Sequence, residues 1–228
     1  MDFDKYAEGY DEMLRKQQLF FATDRAYFHE RKVAQLKQVA PPSVFNILDY
    51  GCGTGGATRC LGRAFPNAVV TGYDPSNESL ATARRLIPEV RFIGKDEIFK
   101  RHYDIVYMAC VLHHVPPIQW VELLRSTSLL LRTGGILAIF EHNPWNPVTK
   151  KLVRECPFDA DAVLLTQPQL VRVFREAGLT VKAKGFYLYL PERLRRLCRF
   201  ERCLRSIPLG GQHYVIGRRE SGLDNQGC

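Results

Sequence analysis

Between Asn46 and His142, five short apolar runs alternate with helix-like segments, and this alternation narrows the possible folds more than any other feature of the chain. The runs are VFNILD, AVVTGYD, VRFIG, YDIVYMA and GILAIFEH. Each is nearly continuous in Val, Ile, Leu and Phe, as expected of strands buried on both faces of a parallel sheet. The segments between them, ATRCLGRAF, SNESLATARRLI and QWVELLRSTSLLL, carry helical spacing, with Ser76 ahead of Ser79 and Leu80 as a helix start. Strand, helix and strand in alternation predict an α/β, doubly wound core.

After the fifth run the pattern changes. PQLVRVFREAGL reads as a helix stopped at Gly178, TVKAKGFYLYL as a strand, and GQHYVIGRR as a last strand closing a late hairpin. The expected sheet is seven-stranded and mostly parallel, with a C-terminal antiparallel strand. Between the last two strands lies PERLRRLCRFERCLRSIP, with Arg193, Arg195, Arg196, Arg199, Arg202 and Arg205. It reads as a helix whose Leu194, Leu197, Cys198, Leu204 and Ile207 share a broad face, its arginines solvated on the other.

At 228 residues the chain suits one enlarged domain. Residues 1–40 read as an N-terminal helical lid or flank, with Pro41 and Pro42 marking its boundary. Residues 41–218 form the core and 219–228 a flexible tail. The acidic start, MDFDKYAEGYDEMLRK, is unlike a signal peptide, and no run reaches membrane-spanning length, so a cytoplasmic protein without a transmembrane segment is expected. The seven cysteines are scattered without metal-ligand pairing or disulfide-scaffold density. A net charge of +8 admits nucleic acid, anionic membrane or acidic metabolites as partners.

The first strand runs into ILDYGCGTGGAT. Gly51, Gly53 and Gly56 have the G-x-G-x-x-G spacing of a dinucleotide-binding turn, which lets a ligand approach the backbone closely. In a nicotinamide enzyme the pyrophosphate sits at this helix N-terminus, and Asp49 would add negative charge beside it. S-adenosylmethionine reverses that argument, because it carries a sulfonium and an ammonium and no phosphate. Asp49 can then complement the ammonium directly or through water, while Gly51, Gly53 and Gly55 admit the methionine portion. Asp74, closing the second strand, is placed to accept both ribose hydroxyls. Ala109 and Cys110, after the fourth strand, are expected to line the cofactor, with Cys110 a small filler lacking a basic partner beyond the nearby histidines.

Together, DYGCGTG, the acid at Asp74, YDIVYMACVLHHV and LLRTGGILAIFEH resemble the class I S-adenosylmethionine-dependent methyltransferases, with their Rossmann-like sheet. The resemblance runs from about Tyr6 to Arg218 and is greatest, through YAEGYDEML and LHHV, to small-molecule enzymes of the ubiquinone-biosynthesis type. It implies that Tyr6 or Tyr10 covers the methionine end, although both also fit the packing of an amphipathic helix. It further implies that Asp96, in GKDE, meets the adenine amine, although Lys95 stands where the family usually has G-D.

Methyl transfer to a hydroxyl or ammonium acceptor needs positioning, a dry pocket and removal of one proton. His113 and His114 follow the fourth strand, and Glu141 and His142 the fifth, so these four are the candidate proton acceptors, His114 and His142 first. The N-P-W of FEHNPWNPVTK follows the fifth strand, whereas the N-P-P-Y box of amino-methyltransferases follows the fourth. EHNPxNP, FDADAVLL and PLGGQHY resemble instead a bacterial small-molecule group. Asp159 and Asp161 of FDADA read as capping residues rather than ligands, and no metal site is expected. The reading is metal-independent methyl transfer to a small molecule, on oxygen, with nitrogen or carbon as other acceptors. An RNA methyltransferase and a non-catalytic binding protein of the same fold remain the alternatives.

Overall fold

The computed structural model describes residues 26–220. Its strands are β1 (Asn46–Tyr50), β2 (Val69–Tyr73), β3 (Arg91–Ile93), β4 (Tyr103–Ala109), β5 (Leu131–His142), β6 (Thr180–Tyr187) and β7 (Gln212–Arg218). They form one seven-stranded sheet in the order β3-β2-β1-β4-β5-β7-β6. β1 to β5 run parallel, and β7 inserts antiparallel between β5 and β6, as the late hairpin of the sequence foreshadows.

The two-residue period of a strand decides which core each side chain enters. Leu48, Val106, Leu137 and Val215 face one layer, where Trp120 and Leu124 of α5 (Trp120–Leu129) and Leu170 and Phe174 of α7 (Gln167–Glu176) cover them. Ile47, Ile105, Ala138 and Ile216 face the other, covered by Tyr27, Val33 and Leu36 of α1 (Ala26–Lys37) and by Leu61 of α2 (Gly56–Ala64). Helices on both faces explain why the strands read as unbroken apolar runs. α3 (Asn77–Leu86) starts where Ser76 Oγ accepts the Ser79 amide at 3.1 Å, the start marked in the sequence. α4 (Lys95–Ile98) follows β3, and α6 (Pro147–Glu155) is capped by Asn146, whose side chain accepts the Thr149 amide.

Three expectations need correction. The Arg-rich segment is a kinked 3-10 stretch, Glu192–Leu204, not an α-helix, and Leu194, Leu197 and Ile207 of its supposed packing face are exposed. It is held by Cys198 and Glu201, its buried residues. The Glu201 carboxylate accepts the amides of Leu188, Tyr189 and Leu190 and pairs with Arg31 at 2.6 Å, so a polar tether fixes the path that an apolar face was expected to fix. β5 begins at Leu131 rather than at Gly135, because Leu131 pairs with Tyr103 ahead of a register break in β4. Arg219, assigned by sequence to the flexible tail, is buried and donates to the carbonyls of Ser128, Leu129 and Leu131 at the end of α5.

Among the described residues, no helix is long and apolar enough to cross a membrane.

Candidate active site

The chain passes from β1 outward to β2 and β3, then returns to place β4 on the other side of β1. That reversal opens a crevice at the carboxyl ends of β1 and β4, where doubly wound folds bind ligands.

The glycine turn forms one wall. Gly51, Gly53 and Gly55 have φ of +80°, +52° and +88°, a left-handed path that side chains with a Cβ rarely adopt. A Cβ on Gly51 would run into Val111 of the loop after β4, whereas one on Gly53 would meet nothing within 4 Å. The turn is therefore backed by protein at Gly51 and open at Gly53. Asp74 fixes its rim, accepting the Gly53 amide at 2.8 Å and the Ser76 amide at 2.9 Å. Asp49 lies beneath the turn, 1% exposed, and accepts the Thr58 hydroxyl at 2.6 Å. Burial raises its pKa to about 7, the Thr58 bond opposing and the Asp74 charge adding to the rise.

This donor set fits S-adenosylmethionine: an open glycine cradle with one carboxylate at the rim for hydroxyls and another beneath it to complement a cation. Two acids fit a pyrophosphate poorly. Asp49 sits behind the turn, held by the Thr58 hydroxyl. Asp96 is exposed in the first turn of α4, at the carboxyl end of β3. Tyr6 and Tyr10 lie outside the described residues.

The loops after β4 and β5 form the other wall, and they bring all four candidate proton acceptors together. His113 Nδ1 lies 2.6 Å from Glu141 Oε2, and Glu141 Oε1 accepts the Leu112 amide at 2.8 Å. The His113 ring is 4.1 Å from that of His114 and 5.2 Å from that of His142, centre to centre. Burial opposes charge on His113, but Glu141 and Asp159 outweigh it and hold the imidazole well above its ordinary value. Burial likewise opposes charge on Glu141, yet His113, with His142 and the Leu112 amide, brings its pKa down to about 2. These two are a closed ion pair, poorly suited to taking a proton from a substrate. His114 is different: burial and the charge on His113 lower it to about 4, so at neutral pH it is an uncharged, partly exposed imidazole.

Ala109 ends β4, and Cys110 follows with φ +57°, a left-handed conformation that costs a non-glycine residue roughly 1–3 kcal/mol. Its expected lack of a basic partner is overturned. Burial pushes the thiol up, but Lys32 of α1 and His142 outweigh it and bring the pKa down to about 7. Lys32 is 5% exposed and comes from a helix that precedes the whole sheet. Gln212, at the start of β7, accepts the Tyr187 hydroxyl and lies 3.4 Å from His142 Nδ1.

Sequence reasoning missed Lys32, Thr58 and Gln212, and Asp159, read there as a capping residue, belongs to a 3-10 turn, Pro157–Asp159, and faces His113 Nε2 at 3.4 Å and His114 Nε2 at 3.6 Å. Thr58 was within reach of local reasoning, standing in the first turn after the glycine loop. Lys32, Asp159 and Gln212 carry no local signal, because each arrives from an element distant in sequence.

Residues 48–137 match the family model described as a methyltransferase domain. A trans-aconitate 2-methyltransferase from Enterobacter sp. (strain 638) is 34% identical over 127 residues, 54% of this chain and 50% of that protein. Another from Variovorax paradoxus (strain S110) is 33% identical over 143 residues, 60% of this chain and 54% of that one. The chain thus spans about half the length of these curated relatives. A SAM dependent methyltransferase from Archaeoglobus fulgidus superposes with a TM-score of 0.66 at 16% identity, covering 92% of this chain and 99% of that one.

Proposed function

We propose that the protein, whose residues 48–137 match a methyltransferase-domain model and whose fold superposes on that of a SAM dependent methyltransferase, transfers a methyl group from S-adenosylmethionine to an oxygen of a small-molecule acceptor. The observation that carries this reading is what the strand order gathers at the carboxyl ends of β1 and β4. On one side is an open glycine cradle flanked by Asp49 and Asp74, and on the other the neutral His114 and the His142 ring.

S-adenosylmethionine, when bound, supplies an electrophilic methyl carbon. The residues of this chain do the rest. Asp74 accepts hydroxyls at the rim, and the glycines allow close approach. Asp49 would place negative charge beneath a cationic ligand, Asp96, exposed after β3, would meet the adenine amine as in the family it resembles, and Ala109 and Cys110 would line the cofactor. His114 is the proton acceptor favoured by the geometry, because it is uncharged near neutral pH and reaches solvent. His142 is the alternative. His113 and Glu141 orient that pair.

The acceptor class rests on the relatives, which are named for trans-aconitate, and on the motif resemblance to enzymes of ubiquinone biosynthesis; both point to small molecules. RNA methylation finds support only in the net charge and the Arg-rich segment.

The test is incubation of the full chain with methyl-labelled S-adenosylmethionine and a bacterial metabolite extract, followed by separation of products. Label in a low-mass, alkali-labile or ether-type product is expected. Label confined to RNA, or no labelled product from any fraction, overturns the reading.

A further inference from the structure

We propose that His113, His114 and Asp159 form a three-ligand site for a divalent transition-metal ion, of the zinc, cobalt or iron(II) class, at the carboxyl end of β4. Two imidazoles and a carboxylate are a ligand set typical of such ions, and three protein ligands leave a position open for a substrate oxygen.

The spacing supports this. Asp159 Oδ1 lies 3.4 Å from His113 Nε2 and 3.6 Å from His114 Nε2. Ligand atoms about 2.0–2.2 Å from a tetrahedral ion stand about 3.3–3.6 Å apart, so both distances match tetrahedral edges. Octahedral magnesium, at about 2.0–2.1 Å, would need edges nearer 3 Å and prefers oxygen ligands. All three ligand atoms lie within 4.8 Å of one another, and His114 is the most exposed of the three side chains.

The surroundings are also built for a metal. His113 presents Nε2 to Asp159 because Nδ1 is held by Glu141 at 2.6 Å, the carboxylate–histidine arrangement that orients metal-bound imidazoles. Glu141 in turn holds the Leu112 amide at the start of the turn that carries both histidines. The Asp159 loop is pinned to the same turn by the Val163 amide, which donates to the His113 carbonyl at 2.8 Å. Residues from β4, β5 and the loop after α6 thus converge on one point.

In catalysis, and resting here on the methyl-transfer reading, the ion would hold an acceptor oxygen at its open position and make its proton easier to lose. With the ion bound His114 would be a ligand, and the role of proton acceptor would fall to His142, the alternative named above.

Metal binding is tested without turnover, so its failure is separate from failure of the methyl-transfer reading. The full chain is stripped with a chelator and titrated with Co²⁺ and Zn²⁺, followed by visible absorption and calorimetry. One ion per chain is expected, with the intense d–d bands of a four- or five-coordinate cobalt site and no thiolate charge transfer. His114→Ala and Asp159→Asn should each lower affinity by more than about tenfold, at least the loss typical of removing an outer-sphere partner. Asp161→Asn, altering the exposed neighbouring acid, should leave it unchanged. Circular dichroism confirms that each variant is folded. Weak, multi-site binding, thiolate charge transfer, or unchanged affinity in folded His114→Ala and Asp159→Asn proteins would each overturn the proposal.

Discussion

His113 Nδ1 and Glu141 Oε2 lie 2.6 Å apart, with neither side chain more than 1% exposed, so the ends of β4 and β5 are joined by a buried ion pair. Such a pair contributes little against an apolar substitute, but removing one partner leaves the other charge uncompensated in the core. Glu141→Ala should therefore destabilise the fold by about 3–5 kcal/mol and release the Leu112 amide. Denaturant unfolding measures it, and a loss below about 1 kcal/mol would mean that the pair is not formed in solution.

The same pairing ties up His113 and Glu141, which leaves His114 and His142 as the proton acceptors proposed above. His114→Ala should lower turnover by about 10²–10⁴ with S-adenosylhomocysteine affinity nearly intact, the usual cost of losing a general base; the same loss in the chelated protein separates that role from a ligand's. His142→Ala is the companion measurement. If both variants retain near-normal turnover on the true acceptor, neither imidazole takes the proton and positioning alone carries the reaction.

Asp74 accepts the amides of Gly53 and Ser76 at the rim of the glycine turn, where the proposed ribose would lie. Asp74→Ala should weaken S-adenosylmethionine binding by about 1–3 kcal/mol in calorimetry, while NAD shows no binding to either protein. Equal affinity in wild type and variant would refute the ribose assignment.

Asp49 gives a pH signature. Its neighbours are Thr58, Cys52, Tyr107 and Asp74, and burial places its pKa near 7. A cationic ligand is bound better by the ionised form, so affinity for S-adenosylmethionine should rise between about pH 6 and pH 8. Stability moves the other way. A carboxyl with its folded pKa above its unfolded value keeps its proton longer in the native state, so its contribution is full below about pH 4 and is lost as pH climbs through 7. Asp49→Asn should flatten both profiles. An unchanged slope in the variant assigns the titration to another group.

The cluster of arginines from Arg193 to Arg205 gives a way to weigh the RNA alternative. Binding through solvated arginines depends on counterion release and falls steeply with salt. Filter binding should show RNA retained at low ionic strength and lost near physiological salt. Tight, structure-selective binding at physiological salt would move the acceptor from a small molecule to RNA.

Much of this protein was legible before folding. The strands, the switch from period-two to helical patterns and the glycine turn are local properties, each encoded within about ten consecutive residues, so VFNILD, GCGTG and the caps at Ser76 and Gly178 could be read directly. Asp74 and the pairs His113–His114 and Glu141–His142 could be placed at strand ends for the same reason. What the sequence could not decide is which of these groups meet. Glu141 closes on His113 because β5 pairs with β4 in one particular register. Asp159 reaches the histidines through the docking of its loop, Lys32 reaches Cys110 from a helix laid across the sheet, and Glu201 anchors a strap whose apolar residues had suggested a packed helical face. Charge state follows from those meetings, since burial and neighbouring charges set a pKa and both are tertiary quantities. The chain's local chemistry determined the strands, the helices and the glycine turn; long-range packing alone decided which carboxylates and imidazoles meet and how each is charged.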